Sequence, residues 1–391
     1  MGFIGKQPTP VPLTASDITD GIITTDKLAA NAVTSAKITD GTIATADIAD
    51  SAVTSAKASG ITSEPFRNIF INGDMSVNQR GTVTGINTNT YTLDRWITEG
   101  DDATLTVSQS TDVPTGMGFR TSLKIDVTTA NSSVAADEEQ KIGQRIEGRM
   151  LQNLKYGTSS ATTATLSFWV RSTVTGTYAI QFQDDDNDKV QTKTYSISAA
   201  NTWEKKSVTI AANTSDTLDN DNNRSFRVLW WLTAGSNYTG DASSSGAWTA
   251  RSSNLDTIAY GHNVNVCAST SDNFYLTGCQ FEIGSTASDF EFLPFDVVLN
   301  RCQRYLEISE GGDYFYNHTS HEPRRTVDFK VEKRGNPTLI AISTAENCAN
   351  GVTLYSGNRD EKLTARVAAT SAFVTGSGKF FYAKFRADSE I

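Results

Sequence analysis

Cysteine is scarce and scattered. Cys267, Cys279, Cys302 and Cys348 are the four in 391 residues, and no CxxC occurs. That usage favours buried free thiols in a cytoplasmically made protein over a disulfide framework or a thiolate metal site. Histidine is scarcer still. His262, His318 and His321 are the three, no GxSxG accompanies them, and nothing singles out a pair among the 44 carboxylates as a glycosidase dyad. No apolar run approaches a membrane span, and the first residues lack the charged and apolar regions of a signal peptide. Basic charge is in deficit, and the net charge of -10 argues against a nucleic-acid or anionic-membrane partner. What is abundant is Ser, Thr, Asn, Asp and Gly, the residues of turns between many short strands.

Residues 1–16 hold Pro8, Pro10 and Pro12, three of the eight prolines. Such a segment is extended and builds no core of its own. It reads as a docking peptide whose Phe3, Ile4, Val11 and Leu13 are ordered by a partner, or as a disordered tail. Residues 17–60 carry an internal repeat, DITDGIITTDKLAANAVTSAK followed by KITDGTIATADIADSAVTSAK. Ile18, Ile23, Leu28, Val33, Ile38, Ile43, Ile48 and Val53 stand five apart without a miss. A period of five fits neither helix nor strand, because each step rotates the apolar residue by ~140° on a helix and switches faces on a strand. The backbone must wind. The spacing is similar to that of pentapeptide-repeat proteins, but two coils are too few to bury a continuous core. The expectation is a shaft in which copies of the chain share these eight residues as an apolar axis; a solvated linker is the alternative.

Residues 65–295 open with FRNIFINGDMSVNQRG, where Ile69 and Ile71 alternate before an Asn72-Gly73-Asp74 turn. Alternating runs follow at 122–127, 165–172, 177–184, 225–233 and 273–284. They predict an antiparallel β-sandwich, jelly-roll-like. In the last of them Cys279, Phe281 and Ile283 share one face, and Phe290, Phe292 and Phe295 then anchor a crossing. Asp296 is the expected N-cap of a linking helix over 296–306, with Val298, Cys302 and Tyr305 on one side. Residues 307–391 read as a small C-terminal β-domain, with strands at 326–333, 337–344, 372–375 and 379–387 and a turn at Gly376-Ser377-Gly378. The fold class is mainly β.

Candidate sites are few. Sugar-binding sandwiches stack the apolar face of a pyranose on aromatic rings, which singles out Trp231, opposite the core-facing Trp230, and Trp248, in the polar loop GDASSSGAWTARSSN. Ordinary packing is the competing reading for both. Asp184, Asp185, Asp186 and Asp188 cluster between two strands, but Lys189 and Tyr195 stand where an EF-hand needs Gly and Glu, so a solvated hairpin tip is expected. His318, His321 and Glu322 form a weak HxxH metal pattern. GSGK at 376–379 has Phe373 where a phosphate loop has its first Gly, and the chain lacks the long regular repeat of a β-helical depolymerase. No cofactor is expected.

Taken together, RNIFINGDMSVNQRG, YTLDRW, YLTGCQFEIGSTASDFEF, LNRCQRY and the ending FRADSEI resemble the tail-fibre and appendage proteins of tailed bacteriophages. The start, FIGKQPTPVPLT with its AVTSAKI-like repeats, resembles the N-terminal shafts of fibres from phages of cyanobacteria and other marine bacteria. The resemblance implies a virion appendage of tail or neck, usually a homotrimer, with residues 1–16 docking it to phage proteins. The distal β-domains would then bind host-surface glycan or protein. It implies no enzymatic activity; the alternatives are a glycan-degrading tail component or a carbohydrate-binding module.

Overall fold

The computed structural model describes residues 66–391 apart from 241–244, 252–254, 317–323, 347–351, 357–361 and 370–377, together with 18, 22–29, 32–34, 37–39, 42–44 and 47–48 of the repeat. The docking candidates Phe3, Ile4, Val11 and Leu13 lie outside the described residues, as do Val53, Cys348, His318, His321, Glu322, the expected strand at 372–375 and Gly376-Ser377. The chain divides into two compact units, Met1–Ile61 and Thr62–Ile391.

In the first unit the five-residue period is written into the backbone. The amides of Lys27, Ala32, Lys37, Thr42 and Asp47 each donate to the carbonyl three residues earlier, at 2.9–3.1 Å. The chain therefore makes one tight turn per pentad, and the apolar residue follows each turn. Lysines tie successive pentads, Lys27 Nζ to the Ile22 carbonyl at 2.6 Å and Lys37 Nζ to that of Ala32 at 2.7 Å. Among the described residues the apolar side chains form no buried core. Ile18, Ile23, Leu28, Val33, Ile38, Ile43 and Ile48 are 42–57% exposed.

The second unit begins with a β-sandwich. Among the described residues its strands are β1 (Val83–Ile86), β2 (Thr90–Tyr91), β3 (Trp96–Gly100), β4 (Thr104–Ser110), β5 (Ser122–Thr129), β6 (Glu139–Glu147), β7 (Ala164–Ser172), β8 (Gly176–Asp184), β9 (Lys189–Ile197), β10 (Glu204–Ile210), β11 (Arg224–Ala234), β12 (Thr249–Ala250) and β13 (Asn273–Ile283). A six-stranded sheet runs β1-β4-β5-β13-β7-β10 and a seven-stranded one β12-β9-β8-β11-β6-β3-β2. Both are antiparallel throughout. Alternation places Leu166, Phe168 and Val170 of β7 and Phe226, Val228 and Trp230 of β11 in the core between them. Strand β13 sits at the centre of its sheet, paired on both sides.

Residues 66–80 are not the expected strand. The Ile69 amide donates to the Phe281 carbonyl at 2.8 Å, and Cys279 N to that of Gly73 at 2.9 Å, so the segment plugs a bulge in β13. Gly73 is obligatory there, since a Cβ would stand 2.1 Å from the Cys279 carbonyl oxygen. Asn72 takes φ +60°, and its amide reaches the carbonyls of Val77 and Asp94 at 2.8 and 3.0 Å.

Helix α1 (Phe295–Gln303) buries Val298 and Cys302, which pack with Tyr305, Ile71 and Val77. Its N-cap is Pro294 rather than Asp296, which lies in the first turn, where a carboxylate suits the helix dipole. Phe292 and Phe295 are 52% and 58% exposed, so they do not anchor the crossing from within. Beyond α1 come β14 (Leu306–Tyr316), β15 (Arg324–Asp328), β16 (Thr338–Glu346), β17 (Val352–Ser356), β18 (Thr364–Ala369) and β19 (Gly378–Asp388). They form two three-stranded sheets, β14-β19-β16 and β15-β18-β17, over a small core of Phe329, Val367 and Phe385. The strand expected over 326–333 stops at Asp328, because Lys333 turns inward to a buried ion pair with Glu307 at 2.5 Å. Ile340 and Ile342 of β16 remain exposed.

The junction between sandwich and C-terminal sheets is ionic and buried. Glu390 lies between Arg95 and Arg80, with all three side chains 2–4% exposed. The Arg95 guanidinium lies 3.5 Å from the centre of the Tyr305 ring. Asp94 accepts from Gln79 N and Nε2, both at 2.6 Å, and Arg304 holds buried Glu147 with two bonds at 3.0 and 2.9 Å. The short motifs QRG, DRW, CQRY and ADSE thus meet at one place, and their work there is structural.

Candidate functional site

The outward face of the six-stranded sheet carries the candidate site. On β7 alternation turns Trp169 and Arg171 outward when Phe168 and Val170 turn inward. Register then sets Arg171 beside Tyr275 of β13, and Tyr275 beside Lys124 of β5. The Tyr275 ring lies between two cations, with the Arg171 guanidinium 4.8 Å and Lys124 Nζ 5.8 Å from its centre. Trp203, at the entry to β10, meets the same ring edge-on at 6.1 Å. Its indole N–H donates to Asp112 Oδ1 at 2.9 Å, and Asp112 also pairs with Arg171. Asn201 accepts from Arg171 at 3.3 Å, and Asp126 lies 2.8 Å from Lys124 Nζ. The Asp126 hydrogen bond raises the Lys124 pKa, so this cation stays charged.

One row along, the β13 bulge brings Gly278 under Trp169 and Phe119. Phe119 packs on Phe290 and Phe292 with ring centres 5.1 Å away in each case. The result is an aromatic strip from Trp203 through Tyr275 and Trp169 to Phe292, edged by Arg, Lys, Asp and Asn. Trp169 and Trp203 are partly exposed and Phe292 is half-exposed, whereas Tyr275 between them is buried. Gly278 sets the spacing of the strip. Its φ is +61°, and a Cβ there would lie 2.5 Å from Phe119 and 3.1 Å from Trp169. Gly278→Val is expected to cost about 2 kcal/mol or more through backbone strain and overpacking. Urea unfolding checks this; a wild-type midpoint would mean that the strip has slack.

The two tryptophans singled out from sequence are not surface rings. Trp231 is fully buried; Tyr238, Ile258 and Ala259 roof it, and Lys141 Nζ stands 4.6 Å from its ring. Trp248 is half-buried against Tyr156 and Phe226, and its indole N–H is committed to the Ala211 carbonyl at 2.9 Å. Trp231 offers no face to a sugar, and Trp248 offers only the part of its ring left outside that packing. Trp169, Trp203 and Tyr275 were missed as a group, although the outward position of Trp169 in TLSFWVRS was legible from alternation.

The outward face of the seven-stranded sheet carries a ladder of paired charges. Glu99 accepts from Arg145 at 2.8 Å and Arg227 at 3.3 Å, and Arg227 reaches Asp185 at 2.7 Å. Burial alone would raise Glu99, but Lys141, Arg227 and Arg145 together hold it below its ordinary value. The acidic tip is therefore not simply solvated. Asp185 belongs to this ladder, and Asp184 is buried, accepting from Asn187 at 2.9–3.1 Å. Among the described residues no group of three or more His, Cys, Asp or Glu is placed to hold a metal. No helix among them is long and apolar enough to cross a membrane. Cys267, Cys279 and Cys302 are buried and free.

No protein-family model matches the sequence, and no curated protein matches it. Among solved structures the chain is similar to the enzymatically active domain of bacteriophage CBA120 tailspike protein 4, at 14% identity and TM-score 0.31 over 56% of this chain and 22% of that one. It is also similar to a family 11 carbohydrate-binding module of a Clostridium thermocellum cellulase, at 11% identity and TM-score 0.25, covering 53% of this chain and 97% of that one. A xylan-binding domain from Paenibacillus barcinonensis matches at 9% identity and TM-score 0.23, covering 58% and 100%. The likeness is to carbohydrate-binding β-sandwich modules and a phage tailspike domain, and at these scores it assigns neither family nor activity.

Proposed function

We propose that this chain is a homotrimeric appendage of a phage tail or neck. Residues 1–16 dock it to the particle, and its jelly-roll-like sandwich binds host-surface glycan without cleaving it. The observation that carries the binding role is the strip of Trp203, Tyr275 and Trp169 with its rim of Arg171, Lys124, Asp112 and Asn201. A pyranose presents an apolar C–H face to such rings, and planar charged and amide groups beside them suit its hydroxyls. Binding to an array of bacterial surface polysaccharides tests the role. Trp203→Ala should weaken the strongest signal by about tenfold or more, as truncating a central aromatic anchor does. Equal binding by the variant would remove the strip from the account.

Self-association is supported by the exposed pentad residues of the first unit and by Ile340 and Ile342 of β16. Each apolar side chain taken from water stabilises by about 1.5–3 kcal/mol, and an axis multiplies that by the number of copies. Ile38→Asp should dissociate the shaft at neutral pH and partly recover in acid, as the clustered carboxylates protonate. Thr39→Asp, off the apolar line, should be tolerated. Sedimentation across pH 4 to 8 decides; identical behaviour of both variants would make the repeat a solvated linker.

A further inference from the structure

A cleft of about 250 Å³ opens where β9 and β10 approach each other, lined by Lys193, Thr194, Val208, Thr209, Ser245 and Tyr260. Its position follows from the sheet order. β10 is the last strand of the six-stranded sheet, and β12 covers β9 only at Lys189 and Val190. Past that point the two sheets meet without a strand between them. The inward face of β9 alternates Gln191, Lys193 and Tyr195, opposite Phe182, Ile180 and Tyr178 of β8. An inward register position has thus been given to a lysine, which remains partly exposed.

Lys193 has no carboxylate partner among the described residues, in a chain with 44 acidic side chains. Its ammonium donates to one carbonyl, that of Ser245, at 2.6 Å. Partial burial lowers its pKa. On the same face, buried Gln191 Nε2 and Tyr195 Oη also lack partners. Among the described residues this face therefore carries donors without acceptors and no carboxylate that pairs with Lys193. A buried amide or hydroxyl donor without an acceptor is costly.

We infer that this cleft is a second ligand site, built for one carboxylate-bearing sugar residue of an acidic polysaccharide. The carboxylate pairs with Lys193, the Thr194 and Thr209 edges face the hydroxyls, and Val208 with Tyr260 contacts the ring. The volume suits a single hexuronate; pockets for larger ligands start near ~300 Å³. The site is separate from the aromatic strip, which lies on the outward face of the other sheet, so the two fail independently.

The test is calorimetric titration with galacturonate and galactose trisaccharides, which differ only in the carboxylate at C6. The wild-type chain should bind the galacturonate form about ten- to a hundredfold more tightly, the range of one charge-assisted hydrogen bond, and less so as salt rises. Lys193→Met should abolish that preference, Lys193→Arg should keep part of it, and Val208→Phe, which fills the cleft without touching the lysine, should remove uronate binding. Trp203→Ala should leave the preference intact. Equal affinity of the wild type for both sugars, no binding of either, or a preference that survives in Lys193→Met would each overturn the assignment.

Discussion

Glu390→Ala is expected to destabilise the second unit by about 3–5 kcal/mol, because it strands two buried guanidiniums with one partner removed. Arg95 loses its carboxylate, and Arg80 retains only Asp388, at 3.2 Å. The change should free the C-terminal sheets from the sandwich, since Glu390 follows β19 whereas Arg80 and Arg95 precede β3. Glu390→Gln keeps an acceptor and should cost less. A solvent-facing pair is the control. Arg251 lies 3.8 Å from Asp188 with both side chains about a third exposed or more, and Arg251→Ala should cost under ~1 kcal/mol. Scanning calorimetry should show the Glu390→Ala transition moved down or split. An unchanged melting profile would mean that the junction is held by other contacts.

The second large effect is on pH dependence. His262 is buried, its Nδ1 accepts the Ala179 amide at 3.2 Å, and its Nε2 has no acceptor. Burial pushes its pKa down to about 4 from 6.5. The unfolded chain therefore binds this proton first, and stability is lost as pH falls from 6.5 to 4, by about 3 kcal/mol. Asp184 acts in the opposite sense. Burial pushes it up to about 6 from 3.8, against the hydrogen bonds of Asn187, so the folded chain binds its proton first. Stability is gained from Asp184 as pH falls from 6 to 3.8. The two contributions oppose each other over nearly the same window. His262→Gln should leave a chain that stabilises relative to wild type on acidification, and Asp184→Asn one that destabilises. Urea titrations at pH 7, 5.5 and 4 separate them; parallel pH profiles for both variants would show that neither group titrates as its burial dictates.

These groups also show what the sequence makes legible. Alternation in SFRVLWWLT is enough to put Phe226, Val228 and Trp230 in the core, because one face of a sandwich strand must be apolar. It cannot show that Tyr238, Ile258 and Ala259 pack over Trp231, since these residues follow no period. Strand β6, EQKIGQRIE, escapes the same reading. Its outward face is an ion row, Lys141 and Arg145 against Glu99, and its inward face includes Gln144, so polarity does not alternate. Strand β9 is hidden for the reason that makes it interesting, a lysine and a glutamine where core residues belong. The five-residue spacing of the repeat was legible and corresponds to one backbone turn per pentad. The motifs that mark the resemblance to phage appendages were legible as motifs only. Their meeting around Glu390 required the structure, because Arg80, Arg95, Tyr305 and Glu390 are far apart in the chain. The aromatic strip lies between these cases: Trp169 stood on a readable outward position, but Tyr275 shares the parity of Cys279 and Phe281 and is turned outward only by the β13 bulge, and Trp203 precedes β10.

The central claim is that glycan binds on that strip, and fluorine NMR of protein labelled with 5-fluorotryptophan tests it most directly. The chain has six tryptophans, so each gives one assignable resonance. Titration with the glycan whose array signal Trp203→Ala weakens should shift Trp169 and Trp203 and leave Trp96, Trp230 and Trp231 in place, because those three are fully buried. Saturable binding that leaves both Trp169 and Trp203 unmoved would contradict the account.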